Sequence, residues 1–374
     1  MRIAVNTRLL IKNKLDGTGW FTFETLKRMT KNHSEHEFFF LFDRPYSSDF
    51  IFSDNITPLV LNPPARHPFL WYLWFEISVK KTLKKINADL FFSPDGYLSL
   101  SSPVKQIAVI HDINFVHRPQ DLPFFSRKYY NYFFPKFARK AEKLVTVSEF
   151  SRQDIINNFN ISYAKTEVVH NGCNEIFKPV SENEKKLTKE KISSGKDYFI
   201  FIGTLHPRKN IARLFKAFER FKKASGSDFK LLIVGEKMFM TGEIEKTYLK
   251  SAFKDDIIFT GRLAPKELHF ALASAFAMTF VPVFEGFGIP LLEAMNCDVP
   301  VISSNTSSLP EVAGDAALFV NPFDVEDIKN AMLKIIENDD LRKNLIEKGR
   351  IRKELFSWDK TAEKLWEIIS KVES

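Results

Sequence analysis

Residues 282–295 read Pro-Val-Phe-Glu-Gly-Phe-Gly-Ile-Pro-Leu-Leu-Glu-Ala-Met, and this stretch decides the fold. The apolar run that ends at Val281–Pro282 predicts a strand, the two glycines predict a loop that a ligand can approach closely, and Pro290 suits a first helical turn. Strand, glycine loop and helix in this order are typical of a doubly wound α/β domain, whose helix N-terminus favours phosphate. Glu285 and Glu293 flank the loop, and a carboxylate accepts hydrogen bonds from two sugar or ribose hydroxyls. The stretch therefore suits a nucleotide sugar.

Outward from this stretch, short β-branched and aromatic runs alternate with helical patterns along the chain. In the second half the predicted strands are Tyr198–Gly203, Leu231–Gly235, Ile257–Gly261, Ala277–Val281, Val299–Ser303 and Leu318–Val320, with helices near 210–223, 241–253, 266–275, 289–296 and 325–337. In the first half the predicted strands are Arg2–Leu10, Glu37–Asp43, Thr57–Leu61, Leu90–Ser93, Gln106–His111, Lys143–Val147 and Glu167–His170. This alternation predicts two parallel sheets, each covered by helices on both faces.

Length and composition agree with two globular domains. The chain has 374 residues, of which 44% are hydrophobic and 27% charged, and this excludes a disordered, collagenous or coiled-coil protein. The polar segment Phe177–Lys196 is predicted to link the domains, and a terminal helix over 357–371 carries Trp358 and Trp366 on one apolar face. Only two cysteines occur, without metal-ligand spacing, and we expect a reducing cytoplasm, no disulfide, no exported segment and no membrane span.

A second charged loop follows the strand Tyr198–Gly203. Arg208 and Lys209 stand just before the predicted helix near 210, where two cations beside a helix N-terminus can neutralise a pyrophosphate without metal. A solvated turn is the alternative interpretation of such a loop taken alone.

Two features of the first half also lie near strand ends. Gly17 and Gly19 follow the first strand and open a helix, although two glycines without a third are weak evidence for a dinucleotide site. His111 and Asp112 end a predicted strand, which is where open α/β sheets carry ligands. A lone histidine is more often a core or surface residue, so position is the argument for a site.

Taken together, these strings resemble the retaining glycosyltransferases of family 4 (group 1), and most closely the bacterial O-antigen and lipopolysaccharide mannosyltransferases. The resemblance runs nearly end to end. It implies a GT-B fold, in which two Rossmann-like doubly wound domains face each other across a cleft. It implies an acceptor-binding domain over 1–177, a nucleotide-sugar-binding domain over 178–356, and a C-terminal helix over 357–374 that packs on the N-terminal domain.

The same resemblance implies roles for individual residues. Glu293 would hold the ribose hydroxyls, Glu285 a hydroxyl of the transferred sugar, and His111 would lie beside that sugar. The catalytic set is then His111, Glu285, Arg208 and Lys209. The donor-binding set is Gly17, Gly19, Thr204, Lys209, Arg262, Gly286, Phe287, Gly288 and Glu293. Thr204 stands where the family usually has arginine, which leaves open whether Arg208 supplies that charge.

Missing motifs narrow the function further. There is no Asp-x-Asp or His-Glu-x-x-His signature, no P-loop, no nucleophile elbow and no Gly-x-Gly-x-x-Gly. Together with these absences, the resemblance implies a metal-independent, retaining hexosyltransferase that needs no cofactor and moves mannose from GDP-mannose to a saccharide or lipid-linked saccharide in cell-surface polysaccharide synthesis. A UDP-sugar-dependent family 4 enzyme and a non-catalytic nucleotide-sugar-binding scaffold are the alternatives.

The net charge of +8 lies mostly in the first half, and the segment 118–143 combines seven basic residues with eight aromatic ones. Such a segment fits an ordinary helix with its aromatics in the core, an anionic membrane surface, or nucleic acid. No nucleic-acid motif accompanies it, so nucleic acid is not an expected partner. If the segment docks on a membrane, the protein works as a peripheral protein on the inner face of the cell membrane.

Overall fold

The computed structural model describes residues 1–236 and 242–373 and divides the chain into two compact units. The first unit comprises Met1–Gly172 together with Trp358–Ser374, and the second comprises Cys173–Ser357. The division falls between Gly172 and Cys173, whereas the boundary expected from the sequence lies between residues 177 and 178.

Seven parallel strands form the sheet of the first unit. They are β1 (Arg2–Asn6), β2 (Glu37–Phe42), β3 (Ile56–Val60), β4 (Leu90–Ser93), β5 (Lys105–Val109), β6 (Lys143–Thr146) and β7 (Thr166–Val168). Their order is β3-β2-β1-β4-β5-β6-β7, so Ile3 of β1 pairs with Phe38 on one side and with Leu90 on the other. The strand order reverses between β1 and β4, and ligands of open α/β sheets bind at the carboxyl ends of strands at such a switch point.

The sheet of the second unit repeats this plan with six parallel strands. They are β8 (Tyr198–Ile202), β9 (Lys230–Val234), β10 (Ile257–Gly261), β11 (Ala277–Phe280), β12 (Val301–Ser304) and β13 (Ala317–Val320). The order β10-β9-β8-β11-β12-β13 puts the switch point between β8 and β11. All five residues of β8 are buried, because helices cover both faces of a parallel sheet.

Helices connect the strands of each unit. Those of the first unit are α1 (Gly17–Asn32), α2 (Pro68–Leu73), α3 (Lys80–Lys85), α4 (Asn114–His117), α5 (Phe124–Lys140) and α6 (Glu149–Phe159), with a π-helical segment Trp74–Val79 between α2 and α3. Those of the second unit are α7 (Glu182–Ser193), α8 (Ile211–Ser225), α9 (Gly242–Lys250), α10 (Pro265–Ala273), α11 (Ile289–Asn296), α12 (Leu309–Ala313), α13 (Val325–Glu337) and α14 (Asp339–Lys353). Helix α15 (Trp358–Glu373) returns to the first unit.

Helix α15 packs on α1 through aromatic and charged contacts. The ring of Trp358 meets that of Phe21 edge to face at 6.3 Å, and Trp366 stacks on His33 at 3.8 Å between ring centroids. Arg28 Nε donates to an Asp359 carboxylate oxygen at 2.5 Å. The apolar face predicted for the terminal helix is thus buried within the first unit.

The predicted α/β fold with two doubly wound sheets is confirmed, with differences at element ends. The predicted strands Arg2–Leu10 and Gln106–His111 run too far, because the backbone leaves the sheet at their carboxyl ends to form loops. The predicted linker Phe177–Lys196 contains α7, whose Ser181 and Glu184 form a capping box. The first residue of the helix predicted over 241–253 lies outside the described residues.

Candidate functional site

Two loops at the switch point of the second unit bring opposite charges together. The first follows β8 and includes a 3₁₀ turn over Pro207–Lys209, and the second is the glycine loop between β11 and α11. A backbone hydrogen bond from Val283 N to Arg208 O, 2.9 Å long, joins the two loops. Arg208 and Lys209 therefore lie beside Glu285, as the strand order predicts.

One carboxylate oxygen of Glu285 binds both cations. Arg208 Nη1 lies 2.8 Å and Lys209 Nζ 2.5 Å from Glu285 Oε1. Arg208 Nη1 also donates to the carbonyl of Phe284 at 3.2 Å. Glu285 is only 7% exposed, and although burial opposes its ionisation, Arg208 and Lys209 hold its pKa below the usual value. The site thus contains a buried carboxylate that stays charged at neutral pH.

Asn210 fixes the cationic turn against the sheet. Its side-chain amide donates to Val281 O at 2.9 Å and to Pro322 O at 2.7 Å, and its backbone adopts φ 63°. The left-handed conformation suits asparagine, and it ends the turn that carries Arg208 and Lys209. Sequence reasoning treated Asn210 only as a helix start, because its two acceptors are distant in sequence.

Two serines hold the glycine loop in place. Ser308 Oγ donates to Glu285 O at 2.9 Å and to Phe287 O at 3.0 Å, while Glu285 N donates to Ser307 Oγ at 3.2 Å. Gly288 has φ 101°, and a Cβ there would lie 2.6 Å from Leu309 Cδ2. Glycine is therefore required at 288 both by backbone conformation and by space.

The side chains of Phe287 and Glu293 differ in whether they can contact a ligand. That of Phe287 is buried, whereas the carboxylate of Glu293 is available. Phe287 is buried, and its ring packs edge to face on Phe356 at 5.8 Å. Glu293 lies on α11 near Cys173 and Cys297, and burial raises its pKa to about 7. In the part of the chain that the structure describes, no hydrogen bond or ion pair holds the Glu293 carboxylate. It is an acceptor available to a ligand hydroxyl.

Thr204 follows β8 and Arg262 follows β10, two strands of the same sheet that pair with β9 on its opposite sides. Thr204 is exposed and directly follows Gly203. The carbonyl oxygen of Gly203 lies close to Gly235 at the end of β9, where an added Cβ would be 2.0 Å from that oxygen. Arg262 is half exposed and forms a long ion pair, 3.8 Å, with Glu236. Both predicted donor residues therefore lie at carboxyl ends of strands.

His111 and the two N-terminal glycines belong to the first unit. His111 Nε2 lies 2.9 Å from the carbonyl of Pro94, its ring meets Phe21 edge to face at 5.0 Å, and burial lowers its pKa. Because a carbonyl only accepts, Nε2 carries the proton and Nδ1 of the neutral ring is an acceptor. Gly17 begins α1, and the Asp16 carboxylate accepts the amide of Gly19 at 2.8 Å as the helix N-cap.

A buried ion pair at the switch point of the first unit was not predicted from the sequence. Arg8 Nε donates to Asp95 at 2.6 Å, and the guanidinium lies 4.0 Å from the ring centroid of Tyr97. Asn6 Nδ2 donates to the second Asp95 oxygen at 2.6 Å. Asp95 is 87 positions from Arg8 and 89 from Asn6 along the chain, so no local sequence motif indicates these contacts.

The residues that the structure describes form neither a cluster of metal ligands nor a membrane-spanning helix. Within residues 1–236 and 242–373, no group of three or more histidine, cysteine, aspartate or glutamate side chains could hold a metal ion. In the same residues, no helix is both long and apolar enough to cross a bilayer.

Comparison with known proteins identifies similar sequences for both units. Residues 15–175 match the family model described as Glycosyltransferase Family 4, and residues 182–352 match Glycosyl transferases group 1. The chain is 29% identical to O-antigen chain mannosyltransferase B of Escherichia coli over 74% of this chain and 73% of the relative. It is 26% identical to O-antigen chain mannosyltransferase RfbU of Salmonella typhimurium over 75% and 74%, respectively. The crystal structure of a glycosyltransferase from Rickettsia africae superposes with a TM-score of 0.74 at 18% identity, covering 99% of this chain and 98% of that one.

Proposed function

The chain belongs to the family 4 (group 1) glycosyltransferases of GT-B fold, and on that premise we propose that it transfers mannose from GDP-mannose, with retention and without metal. The acceptor in this proposal is a saccharide or lipid-linked saccharide of cell-surface polysaccharide synthesis. Two relatives named as O-antigen mannosyltransferases support the sugar and the pathway class. The observation that carries the proposal is the joint contact of Arg208 and Lys209 with Glu285 at the switch point of the second unit.

The donor diphosphate takes the place of the Glu285 carboxylate on the two cations. A diphosphate offers several anionic oxygens, and charge-assisted hydrogen bonds to Arg208 and Lys209 neutralise it as a metal ion would. Glu285, released from the cations, then accepts a hydroxyl of the transferred sugar. Backbone amides of Gly286 and Gly288 lie on the same loop and complete the donor contact.

Glu293 receives the ribose hydroxyls in this proposal. Its carboxylate has no protein partner among the described residues, and its pKa of about 7 makes it a group that a pair of hydroxyl donors would stabilise in the charged form. Thr204 and Arg262 are assigned to the nucleotide and its diphosphate because both follow strands at the same edge of the sheet. Phe287 contributes its backbone, since its side chain is buried.

Retention requires the acceptor hydroxyl to attack the face from which the diphosphate leaves, or a covalent glycosyl-enzyme. We favour same-face attack. A phosphate oxygen of the donor takes the proton of the acceptor hydroxyl, while Arg208 and Lys209 stabilise the charge on the departing diphosphate. His111 orients the sugar through Nδ1, and its lowered pKa keeps the ring neutral at pH 7. The glycines Gly17 and Gly19 are assigned to the donor phosphates on the family resemblance.

The proposal places the reaction at the inner face of the cell membrane, where a lipid-linked acceptor is anchored. The basic and aromatic segment 118–143 supports this part, because its helix α5 carries five Lys or Arg residues and no acid.

A donor panel tests the proposal. Purified protein is mixed with GDP-mannose, UDP-glucose or UDP-N-acetylgalactosamine, and thermal shift, donor hydrolysis and the anomer of the product are measured with and without EDTA. We expect stabilisation and hydrolysis with GDP-mannose, a retained anomer, and no effect of EDTA. A response to UDP-sugars alone supports the alternative donor, and an inverted anomer or a need for magnesium or manganese contradicts the mechanism. No response to any donor supports the non-catalytic scaffold.

A further inference from the structure

Exposed aromatic and aliphatic side chains cluster on two neighbouring segments of the first unit. One segment is α2 with the π-helical turn after it, and the other is the outer side of α5. The exposed residues are Phe69, Tyr72, Ile77, Phe124, Phe125 and Tyr132, and we refer to this set as the aromatic face. Phe69 and Phe125 are 64% and 68% exposed, which is costly for phenylalanine in water.

Ring contacts show that the two segments are adjacent. Trp71 of α2 stacks on Tyr130 of α5 at 5.6 Å, and Tyr72 lies 5.9 Å from Phe133. The ring of His67, which caps α2, lies 6.4 Å from that of Phe125. The aromatic face is therefore one surface, not two separate patches.

The structure also divides the aromatics of segment 118–143 into two groups. Tyr129, Phe134 and Phe137 are buried in the core of the first unit. The exposed rings on α5 are left over from that packing, so an ordinary core helix does not account for them. The contribution of α2 was not visible in the sequence, because its exposed rings are remote from α5 along the chain.

Basic residues are frequent on α5 and on α3, the helix that continues from the π-helical turn. Helix α5 carries Arg127, Lys128, Lys136, Arg139 and Lys140, and α3 carries Lys80, Lys81, Lys84 and Lys85. Several cations lie against the exposed rings: Lys136 Nζ is 3.5 Å from the centroid of Tyr132, and Lys128 Nζ is 5.8 Å from that of Phe124.

The acid within this region is already occupied. Glu76 is the single acidic residue between Pro68 and Lys85, and its carboxylate accepts the amides of Leu100 at 2.5 Å and Ser101 at 3.0 Å. The face and its surroundings therefore carry a positive charge that no neighbouring acid on these helices neutralises.

We propose that the aromatic face docks on an anionic phospholipid surface, with its rings at the level of the acyl boundary and the surrounding lysines and arginines on the lipid phosphates. Rings that enter the interface beside cations that stay at the headgroups are the two contributions on which interfacial helices depend. The inference rests on the proposed function only for the lipid-linked nature of the acceptor. It requires nothing of the donor reaction.

Vesicle cosedimentation of the full chain tests this surface, with phosphatidylcholine vesicles that contain or lack phosphatidylglycerol. We expect binding to the anionic vesicles only, weaker at high salt. The double variant Phe124→Ser/Phe125→Ser should lower the partition coefficient by at least about tenfold, and Arg127→Glu/Lys128→Glu by at least about fivefold for each charge.

A matched control lies on the second unit. Lys186 and Leu187 are an adjacent exposed pair on α7, so Lys186→Glu/Leu187→Ser changes the same kinds of side chain outside the aromatic face. It should bind vesicles as the parent does. Thermal unfolding of each variant shows whether it is folded, and the charge-reversal pair serves if the serine pair does not fold.

The outcomes separate the two proposals. Equal binding to neutral and anionic vesicles, parent-like binding by both aromatic-face variants of folded protein, or displacement by an oligonucleotide at low concentration each overturns the docking surface. Vesicle binding without any donor-induced thermal shift overturns the donor assignment and leaves the surface intact. A donor-induced shift in a protein that binds no vesicle does the reverse.

Discussion

Glu285 contacts, through one oxygen, the two cations to which the proposed function assigns the donor diphosphate. In the proposed function the carboxylate competes with the phosphates for Arg208 and Lys209, and it contacts the sugar only after it is displaced. Because of this competition, substitutions within one cluster should change nucleotide affinity in opposite directions. In a simple binding site, each substitution would weaken binding.

Glu285→Gln removes the competing charge and leaves the two cations unneutralised. GDP should then bind roughly tenfold more tightly, while transfer falls because the sugar hydroxyl loses its charged acceptor.

Lys209→Ala should weaken GDP binding by roughly ten- to a hundredfold, since a charge-assisted contact is worth about 1.5–3 kcal/mol. Calorimetric titration with GDP measures both, and Lys216→Ala, an exposed lysine on α8, is the control. Weaker binding in both cluster variants would contradict the competition.

Glu293 should make the free energy of unfolding depend on pH. Burial raises its pKa from 4.5 to about 7, so the folded state binds this proton more tightly than the unfolded state does. The stability due to the neutral carboxyl is complete below pH 4.5 and is lost as the pH rises to about 7. Glu293→Gln should therefore be more stable than the parent above pH 7, by up to about 3 kcal/mol, with no difference below pH 4.5. Urea unfolding across this range, with Glu347→Gln on the surface of α14 as control, measures the difference.

Glu293→Gln should also weaken nucleotide binding by roughly tenfold, because in the proposed function an amide then replaces the charged acceptor of the ribose hydroxyls. A variant that gains stability and keeps full GDP affinity would show that Glu293 is a strained core residue and not a ligand acceptor.

At the scale of elements, helix α15 is held to the first unit by its apolar face. Leu365 and Ile369 are fully buried, and Trp358 is nearly so. Leu365→Ala should lower the free energy of unfolding by about 2–5 kcal/mol, since it leaves a cavity in a packed interface. Leu355→Ala, which changes an exposed leucine just before the helix, should alter it by less than about 0.5 kcal/mol. Equal effects in urea denaturation would contradict the packing of α15.

The strands were predictable because each is a buried apolar run between loops, and Leu90–Ser93 and Ile257–Gly261 were predicted with the ends that the structure has. Helix α14 (Asp339–Lys353) was missed because only Leu345 and Gly349 are buried in it, which leaves no apolar stripe to detect. The π-helical turn has no sequence signal either.

The parts of the candidate site that stand in short sequence motifs were predictable, and the parts that depend on contacts between distant residues were not. Arg208, Lys209 and Glu285 stand in motifs that resemble a family, and the strand order then brings them together. The pairing of Arg8 with Asp95 depends on tertiary contact alone, so it appears only in the folded chain.

At the scale of the whole molecule, the two units are built differently along the chain. The second is one continuous segment, Cys173–Ser357, with its own six-stranded sheet and buried core. The first unit includes α15, which follows the whole second unit along the chain. Residues 173–357 therefore contain every part of a domain, whereas residues 1–172 lack the helix that covers Phe21 and His33.

Residues 173–357, produced alone, should fold cooperatively and bind GDP within about tenfold of the affinity of the full chain. In the proposed function, charge-assisted contacts from Arg208 and Lys209 supply most of the binding, and both residues lie in this segment. Residues 1–172 alone should unfold at lower urea concentration than the first unit of the full chain, since the apolar surface of α1 is left in water. Urea unfolding and GDP titration of the two segments measure this. If 173–357 folds but does not bind GDP, the donor site needs groups of the first unit, and the glycine loop of Gly17 and Gly19 is the first to test, by Gly17→Ala in the full chain.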